Sequence, residues 1–308
     1  MSTPADSNGR GGPWARMVDM AAAAARSSTR RYPRELLASM RELREGAALR
    51  VEHPHADASL GGVWLGHSTV LLRIGRSWVL TDPVFSERIG VRVGGRTFGL
   101  GRLAPTFDLG TLPPVDLILV SHAHFDHLDR PTLAKLVSPR TRVITAERTG
   151  ALIPGGFEGV HELRWNDEVR AGDLVIRAMR PAHWGARTAF DRQRGFNSYV
   201  IDAPDHRRRV LFSGDTAHTR AFERVGGADL TIFGIGAYDP WEHAHATPEQ
   251  AWDMHRLAGG ERFMPMHHST FPLSDEPAGE PLRRLIAAAG AAGPTVVGEN
   301  LGKAWHAA

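Results

Sequence analysis

The stretch of sequence that decides the fold is residues 117–129, which read LILVSHAHFDHLD. Its first four residues form a continuous apolar run, which is typical of a β-strand that is buried on both faces. The polar residues Ser121 and His122 follow this strand directly. A buried strand that leads into polar side chains is typical of an α/β protein, in which functional groups gather along one edge of a sheet.

Four side chains that commonly bind metals lie within six residues of this stretch, namely His122, His124, Asp126 and His127. Alternate side chains of a loop that leaves a strand can point the same way, so His122 and His124 can hold one metal ion. Asp126 and His127 can then turn toward a second ion. Imidazole and carboxylate ligands without thiolate suit zinc, and also manganese or iron. We therefore predict a site for two divalent ions, with a solvated polar loop as the alternative.

The composition agrees with a metal site built from histidine and carboxylate. The chain has 308 residues with 16 His and no Cys, which excludes a disulfide framework, a thiolate ligand and a cysteine nucleophile. Lys and Arg total 37 against 34 acidic residues, and this net charge of +3 is too small to indicate a nucleic-acid partner. The length allows one domain of roughly 200–250 residues plus an extension.

Further strands and helices are predicted on both sides of the histidine-rich stretch. Apolar and β-branched runs predict strands at residues 63–65, 70–74, 78–80, 143–145, 174–178, 198–201, 210–212, 230–233 and 262–266. Helices are predicted after Asp129, after the capping-box pattern that begins at Thr247, and over residues 281–289. Residues 89–107, rich in Gly and Arg, are predicted to be a loop that shapes the entrance to the site. Two sets of strands, each followed by helices, predict two sheets packed face to face with helices outside.

The N-terminal region is predicted to lie outside this domain. Residues 1–28 are rich in Gly, Ser, Ala and Pro without periodicity and are predicted to be disordered. Residues 29–60 are predicted to be a helical extension, and residues 61–308 the catalytic domain. Arg34, Arg41 and Arg44 share one face of the predicted helix, opposite its leucines.

The basic face of this predicted helix is either solvated surface or a surface that meets anionic phospholipid. No apolar run in the sequence approaches the length needed to cross a bilayer. We therefore expect a cytoplasmic protein, with peripheral membrane contact through the helix left open.

The run from His122 to His127 resembles the HxHxDH motif of the metallo-β-lactamase superfamily. Within that superfamily the chain most resembles the N-acyl-phosphatidylethanolamine-hydrolysing phospholipase D group, from about Gly61 onward. The stretches that carry this resemblance are WLGHST at 64–69, LTDPVFS at 80–86, LPPVD at 112–116, GAYDP at 236–240 and HHSTF at 267–271. The resemblance implies an α/β protein with a four-layer αββα sandwich and metal-dependent hydrolase activity.

The resemblance also implies that distant residues complete the metal site. His183 would be the third histidine on the first metal, and Asp215 would bridge both metals. His267 would complete the second site together with Asp126 and His127. His183, Asp215 and His267 each come just past a predicted strand, where this architecture gathers functional groups.

Four further residues are weaker candidates for the site. Asp82 follows a strand and precedes a proline, so it either orients a ligand imidazole or forms a turn. The resemblance places His67 near the metals, with a structural histidine as the alternative. It also aligns His245 with an active-site histidine that protonates or positions the leaving group. Tyr238 either lines the pocket or belongs to the core.

The predicted activity is hydrolysis of phosphodiesters, with Asp126 and His245 as catalytic residues. Two divalent ions about 3.5–4 Å apart lower the pKa of a bridging water, so that it attacks as hydroxide. Small molecules or lipids are the expected substrates, with lipid phosphodiesters leading. A lactonase or carbon-ester hydrolase is the alternative, because the same ligands serve both reactions; an apolar groove would favour lipid and a small polar pocket a lactone. A non-catalytic metal-binding protein is a third possibility, opposed by the complete ligand set.

Overall fold

The computed structural model describes residues 48–307 with the exception of residues 56 and 189. The predicted disordered segment at residues 1–28 and the predicted basic helix therefore lie outside the described residues. In the part of the chain that is described, fifteen strands and three α-helices are present.

The strands of the first half are β1 (Leu60–Trp64), β2 (Val70–Ile74), β3 (Ser77–Thr81), β4 (Arg88–Val93), β5 (Arg96–Gly101), β6 (Leu117–Val120), β7 (Arg142–Ala146) and β8 (Gly159–Leu163). Those of the second half are β9 (Glu168–Ala171), β10 (Leu174–Met179), β11 (Ser198–Ala203), β12 (Arg208–Phe212), β13 (Ala228–Gly234), β14 (Gly260–Met266) and β15 (Ala304–His306). The helices are α1 (Arg130–Lys135), α2 (Pro248–Leu257) and α3 (Glu280–Ala289).

The strands form two large sheets and a separate hairpin. The first sheet has the order β15-β1-β2-β3-β6-β7-β8, and the second has the order β14-β13-β12-β11-β10-β9. In the first sheet the neighbouring strands β3, β6, β7 and β8 run parallel to one another. In the second sheet β12, β13 and β14 run parallel to one another. The other pairs in both sheets are antiparallel.

The core lies between the two sheets. Leu119 and Ile144 of the first sheet share one apolar cluster with Ile201 and Ile232 of the second sheet. On the outer side of the second sheet, α2 and α3 cover a second cluster, and α1 covers the outer side of the first sheet. The predicted αββα sandwich is therefore confirmed.

The prediction of a loop at residues 89–107 is wrong for most of this segment, which forms the β4–β5 hairpin. Gly94 and Gly95 form its turn, both with positive φ. Gly90 and Gly99 face each other across the two strands, and a Cβ on either would lie 2.1 Å from a carbonyl oxygen of the partner strand. The glycines that suggested a loop are thus the residues that allow this hairpin to close.

Strand ends at one edge of the sandwich carry the side chains of the predicted site. His122 follows β6, Asp215 follows β12 and His267 follows β14, while His183 comes four residues after β10. His67 lies in the turn between β1 and β2. Within the described residues, no helix is long and apolar enough to cross a membrane.

Candidate metal centre

The first group of ligands consists of His122, His124, His183 and Asp215, whose ligand atoms all lie within 4.8 Å of one another. His124 Nδ1 is 2.7 Å from His122 Nε2 and 3.5 Å from His183 Nε2. Asp215 Oδ2 closes the group at 3.8 Å from His122 Nε2 and 3.6 Å from His183 Nε2. The structure thus brings together the four residues predicted for the first metal.

The second group consists of His67, Asp126, His127 and His267. Asp126 Oδ2 lies 2.9 Å from His67 Nε2 and 3.5 Å from Nε2 of both His127 and His267. Asp215 reaches this group as well, with 3.1 Å from Oδ2 to His127 Nε2 and 3.2 Å from Oδ1 to His267 Nε2. Asp215 therefore contacts both groups, and His67, predicted only to lie near the metals, is one of the potential ligands of the second group.

Hydrogen bonds on the far side of the rings determine which nitrogen faces the cluster. Asp82 Oδ2 accepts a hydrogen bond from His127 Nδ1 at 2.7 Å, and the carbonyl oxygen of Ala244 accepts one from His183 Nδ1 at 3.0 Å. The Ser121 hydroxyl donates to Asp82 and therefore accepts from His122 Nδ1 at 2.9 Å. Each of these three imidazoles consequently holds a proton on Nδ1 and turns Nε2 toward the cluster, the orientation that metal ligation requires.

Burial keeps most of the imidazoles neutral. It lowers the pKa of His67 and of His124 to about 3, and it also lowers the pKa of His122 and of His183. Neighbouring histidines lower these pKa values of His67, His122 and His124 further. The neutral imidazole is the form that binds a metal ion.

The two carboxylates of the cluster remain ionised. Burial raises the pKa of Asp126 and of Asp215, but nearby imidazoles, His127 first, outweigh burial and hold both pKa values well below the usual range. Conversely, burial lowers the pKa of His127 and His267, but Asp215 and Asp126 outweigh it and raise the pKa of His267 to about 9. The two carboxylates and the imidazoles of His127 and His267 therefore stabilise each other's charged forms where the ligand atoms converge.

Several buried polar atoms of the cluster find no hydrogen-bond partner among the described residues, including Nε2 of His127, Nε2 of His267 and Oδ1 of Asp215. Leaving such atoms buried and unpaired costs free energy, and native proteins do so rarely. A cation that accepts their lone pairs removes this cost, and the histidine and carboxylate set suits zinc, manganese or iron. The residues present therefore fit the divalent ions that the sequence predicts.

His245 stands at the edge of the cluster. Its Nδ1 lies 3.8 Å from Asp215 Oδ2, and it forms a third group of potential ligands with Asp215 and His267. Burial lowers the pKa of His245 well below its usual value. Tyr238 is buried, and its hydroxyl donates to the Glu280 carboxylate at 2.8 Å.

Sequence reasoning missed two residues that touch the metal-binding loop. Arg187 Nη1 donates to the carbonyl oxygens of Ala123 at 2.8 Å and Leu128 at 2.9 Å, and its guanidinium lies 4.0 Å from the centre of the Phe125 ring. Trp184 lies next to His183 in the chain, and its ring packs 4.3 Å from the ring of His124. The proximity of Trp184 to a predicted ligand was a usable signal, whereas no sequence pattern indicates contacts to backbone carbonyls such as those of Arg187.

A small cavity of about 140 Å³ opens beside the second group. His67 and His267 form one wall, and Leu103 and Phe271 contribute apolar surface. Ser269, Ser274 and Glu276 are its other polar residues apart from His268.

Residues 77–268, more than half of the chain, match the family model of the beta-lactamase superfamily domain. The chain belongs to the metallo-β-lactamase superfamily. An uncharacterized protein of Mycobacterium tuberculosis is 35% identical over 83% of this chain and 72% of its own length. The N-acyl-phosphatidylethanolamine-hydrolyzing phospholipase D 1 of Caenorhabditis elegans is 28% identical over 71% of this chain and 66% of its own length.

A solved structure with a similar fold is Igni18, a metallo hydrolase of Ignicoccus hospitalis. It matches with a TM-score of 0.59 and 18% identity over 80% of this chain and 97% of that chain. At this identity the match shows the fold alone. Together with the relatives and the clustered His and Asp side chains, the family match identifies a metal-dependent hydrolase that is similar to the phospholipases D of this superfamily.

Proposed function

We propose that the protein is a dinuclear phosphodiesterase that acts on phospholipid-type phosphodiesters. The observation that carries this proposal is a pair of buried ligand groups that share Asp215. Two divalent ions, zinc before manganese or iron, would polarise the phosphoryl oxygens and activate a water molecule at neutral pH.

The residues of the chain position the ligand groups, supply charge and determine the side from which a substrate approaches. Asp215 faces both groups and would be a ligand shared by both ions, while Asp82 fixes the orientation of the His127 ring. Asp126 and His245 keep 13% and 18% of their side chains exposed, whereas His127, His267 and Asp215 keep 2% or less. A substrate therefore approaches the cluster past Asp126 and His245.

His245 acts on the leaving group in this proposal. Because burial holds its pKa well below the usual value, its ring is neutral and donates an N–H hydrogen bond to the departing oxygen. A neutral imidazole that hydrogen-bonds a reacting oxygen is an established catalytic arrangement. Asp126 lies on the same open side of the cluster as His245, and it fixes the end of the second group that faces the substrate.

Exposed apolar side chains at the entrance support a lipid-type substrate. Leu103 lines the small cavity next to His67 and is 61% exposed, and Trp184 packs on His124 and is 47% exposed. Apolar surface beside a polar reaction centre suits a molecule that has both an acyl chain and a phosphate. The similarity to the phospholipase D of C. elegans supports the same substrate class.

One observation favours the alternative of a lactonase or carbon-ester hydrolase. The cavity beside His67 and His267 measures only about 140 Å³ and contains Ser269, Ser274 and Glu276. Its size and polarity suit a small lactone ring. The acyl chain of a lipid would have to leave by the apolar entrance instead.

The test begins with the metal content of the purified protein and compares turnover of bis-p-nitrophenyl phosphate with turnover of a simple lactone. We expect about two equivalents of divalent metal and phosphodiester turnover that disappears on chelation and in Asp126→Ala. His218→Ala is the matched control, because His218 pairs with Asp253 on the surface at 2.9 Å, outside the cluster. Lactone opening without phosphodiester turnover would establish the alternative, and failure to retain metal after reconstitution would overturn the proposal.

A further inference from the structure

A concentration of positive charge lies next to the metal-binding loop. A groove of about 460 Å³ runs between the β4–β5 hairpin and the start of α1. Four arginines line it: Arg88, Arg92, Arg130 and Arg187. Ile89, Val91 and Phe125 contribute apolar surface between them. The groove therefore joins several guanidinium groups to an apolar wall.

Asp129 is the one carboxylate among the described residues that line the groove. It is buried, and its Oδ2 already accepts hydrogen bonds from the Ser86 amide at 3.2 Å and the Thr132 hydroxyl at 2.5 Å. Asp129 is thus engaged in joining the Ser86 loop to α1. Arg88 is itself buried and donates to the carbonyl oxygen of Gly99, so Arg92, Arg130 and Arg187 are the arginines that give the groove its positive charge against this one engaged carboxylate.

Arg187 is fixed in this groove by the loop itself. Its Nη1 donates to the carbonyl oxygens of Ala123 and Leu128, and its guanidinium packs on Phe125. Burial lowers the pKa of Arg187 to about 10; the positive charge of Arg130 also lowers it, and the charges of Asp129 and Asp126 oppose this. An anion bound near Arg187 and Arg130 would further offset the repulsion between these two like charges.

The groove adjoins the loop that carries the metal ligands. Phe125 stands in the chain between the ligands His124 and Asp126. Its ring packs in one apolar cluster with Ile89 and Phe271, and the Phe271 ring lies 5.4 Å from that of His67. Phe125 is therefore the side chain that lies between the groove and the metal centre, and a molecule whose phosphodiester occupies the metal centre would pass over it to reach the groove.

We propose that the arginine groove binds a second anionic group of the substrate, a phosphate or similar oxyanion, while the scissile phosphodiester lies at the metal centre. Guanidinium groups suit this role because their planar fork binds two oxygens of one phosphate or carboxylate. The assignment rests on the proposed phosphodiesterase function and narrows its substrates to molecules that carry an additional negative charge.

The catalytic test uses the metal-loaded protein and two substrates that differ by one phosphate: thymidine 5′-(p-nitrophenyl phosphate) and the same compound with a 3′-phosphate. We expect the added phosphate to lower KM roughly tenfold, which corresponds to about 1.4 kcal/mol. In the double variant Arg92→Gln/Arg130→Gln the ratio of the two KM values falls toward one. The matched control is Arg220→Gln/Arg224→Gln, which removes the same charge from two exposed arginines and leaves the ratio unchanged.

A binding test separates failure of this assignment from failure of the proposed function. Sodium sulfate, added at constant ionic strength, is expected to raise the Tm of the metal-loaded protein and of the control variant more than that of Arg92→Gln/Arg130→Gln. Equal shifts in both variants would overturn the groove as an anion site, whether or not either substrate is hydrolysed. A sulfate response that depends on the groove, with a KM ratio that does not, would overturn its assignment to the substrate.

Discussion

Asp82 is an example of a side chain that orients the ligand rings of the metal centre without taking part in the reaction. It is fully buried, and its carboxylate accepts hydrogen bonds from the amide and hydroxyl of Ser121 at 2.6 Å each and from His127 Nδ1 at 2.7 Å. Burial raises its pKa, although His127 and Ser121 oppose that effect. Because Ser121 in turn orients His122, Asp82 fixes one ring of each ligand group.

Asp82→Asn is therefore expected to weaken metal binding about 10–100-fold, as loss of a partner that orients a ligand does. Competition with a chromogenic chelator measures this affinity. The matched control is Asp116→Asn at the other end of β6, where Oδ2 accepts from the Trp78 amide at 2.8 Å. Equal affinities of the Asp82 variant and the native protein would show that the ligand rings are oriented without this carboxylate.

His245 provides a second prediction at the scale of single residues. If it donates to the leaving group, His245→Asn lowers kcat about 100-fold or more and leaves the metal content intact. The exposed neighbour His243 supplies the control, since His243→Asn alters a histidine outside the ligand groups. Loss of one metal equivalent in the His245 variant would instead make this residue a ligand, as its position 3.8 Å from Asp215 Oδ2 also permits.

At the scale of elements, α2 begins at a complete capping box. The Thr247 hydroxyl accepts from the Gln250 amide at 3.3 Å, and the Gln250 side chain accepts from the Thr247 amide at 3.1 Å. Thr247→Ala is expected to lower the free energy of unfolding by about 1 kcal/mol, whereas Thr247→Ser keeps the hydroxyl and most of the stability. Urea denaturation of both variants checks this, and indistinguishable midpoints would show that the cap contributes nothing to stability.

Elements with a strong local pattern were predictable from the sequence. The strands β2 and β6 have the predicted bounds, because each is an apolar run between polar residues or turns. The edge strand β8 was not predicted, since three of its five residues are exposed and polar or β-branched, with no apolar alternation. The hairpin β4–β5 was predicted as a loop because its closely packed glycines imitate a loop composition.

The candidate site was predictable to the extent that its residues follow strands. Spacing alone pointed to the four residues after β6, whereas His183, Asp215 and His267 needed the family resemblance to be selected. His67 was expected only near the metals, because its place in a turn with positive φ carries no ligand pattern. Arg187 could not be predicted, since it acts through carbonyl oxygens that any residue supplies.

At the scale of the whole molecule, the ligand cluster links the two sheets. His122 and His127 come from the first sheet, and Asp215 and His267 follow strands of the second. Bound ions would therefore cross-link the sandwich at one edge. Without them, the converging lone pairs and carboxylates remain partly unsatisfied within the core.

Metal removal is accordingly expected to destabilise the entire domain rather than a single loop. A ligand that binds only the folded state, present at about a thousand times its Kd, contributes about 4 kcal/mol to the free energy of unfolding. Calorimetric unfolding of the metal-loaded and chelated protein should show a large fall in Tm, with loss of both sheets in one transition. Asp215→Asn should show a much smaller difference in Tm between the metal-loaded and the chelated protein, because the substitution removes the carboxylate that both groups share. If chelation leaves the Tm of the native protein unchanged, the ions do not join the two sheets, and the stability of the sandwich comes from its apolar core alone.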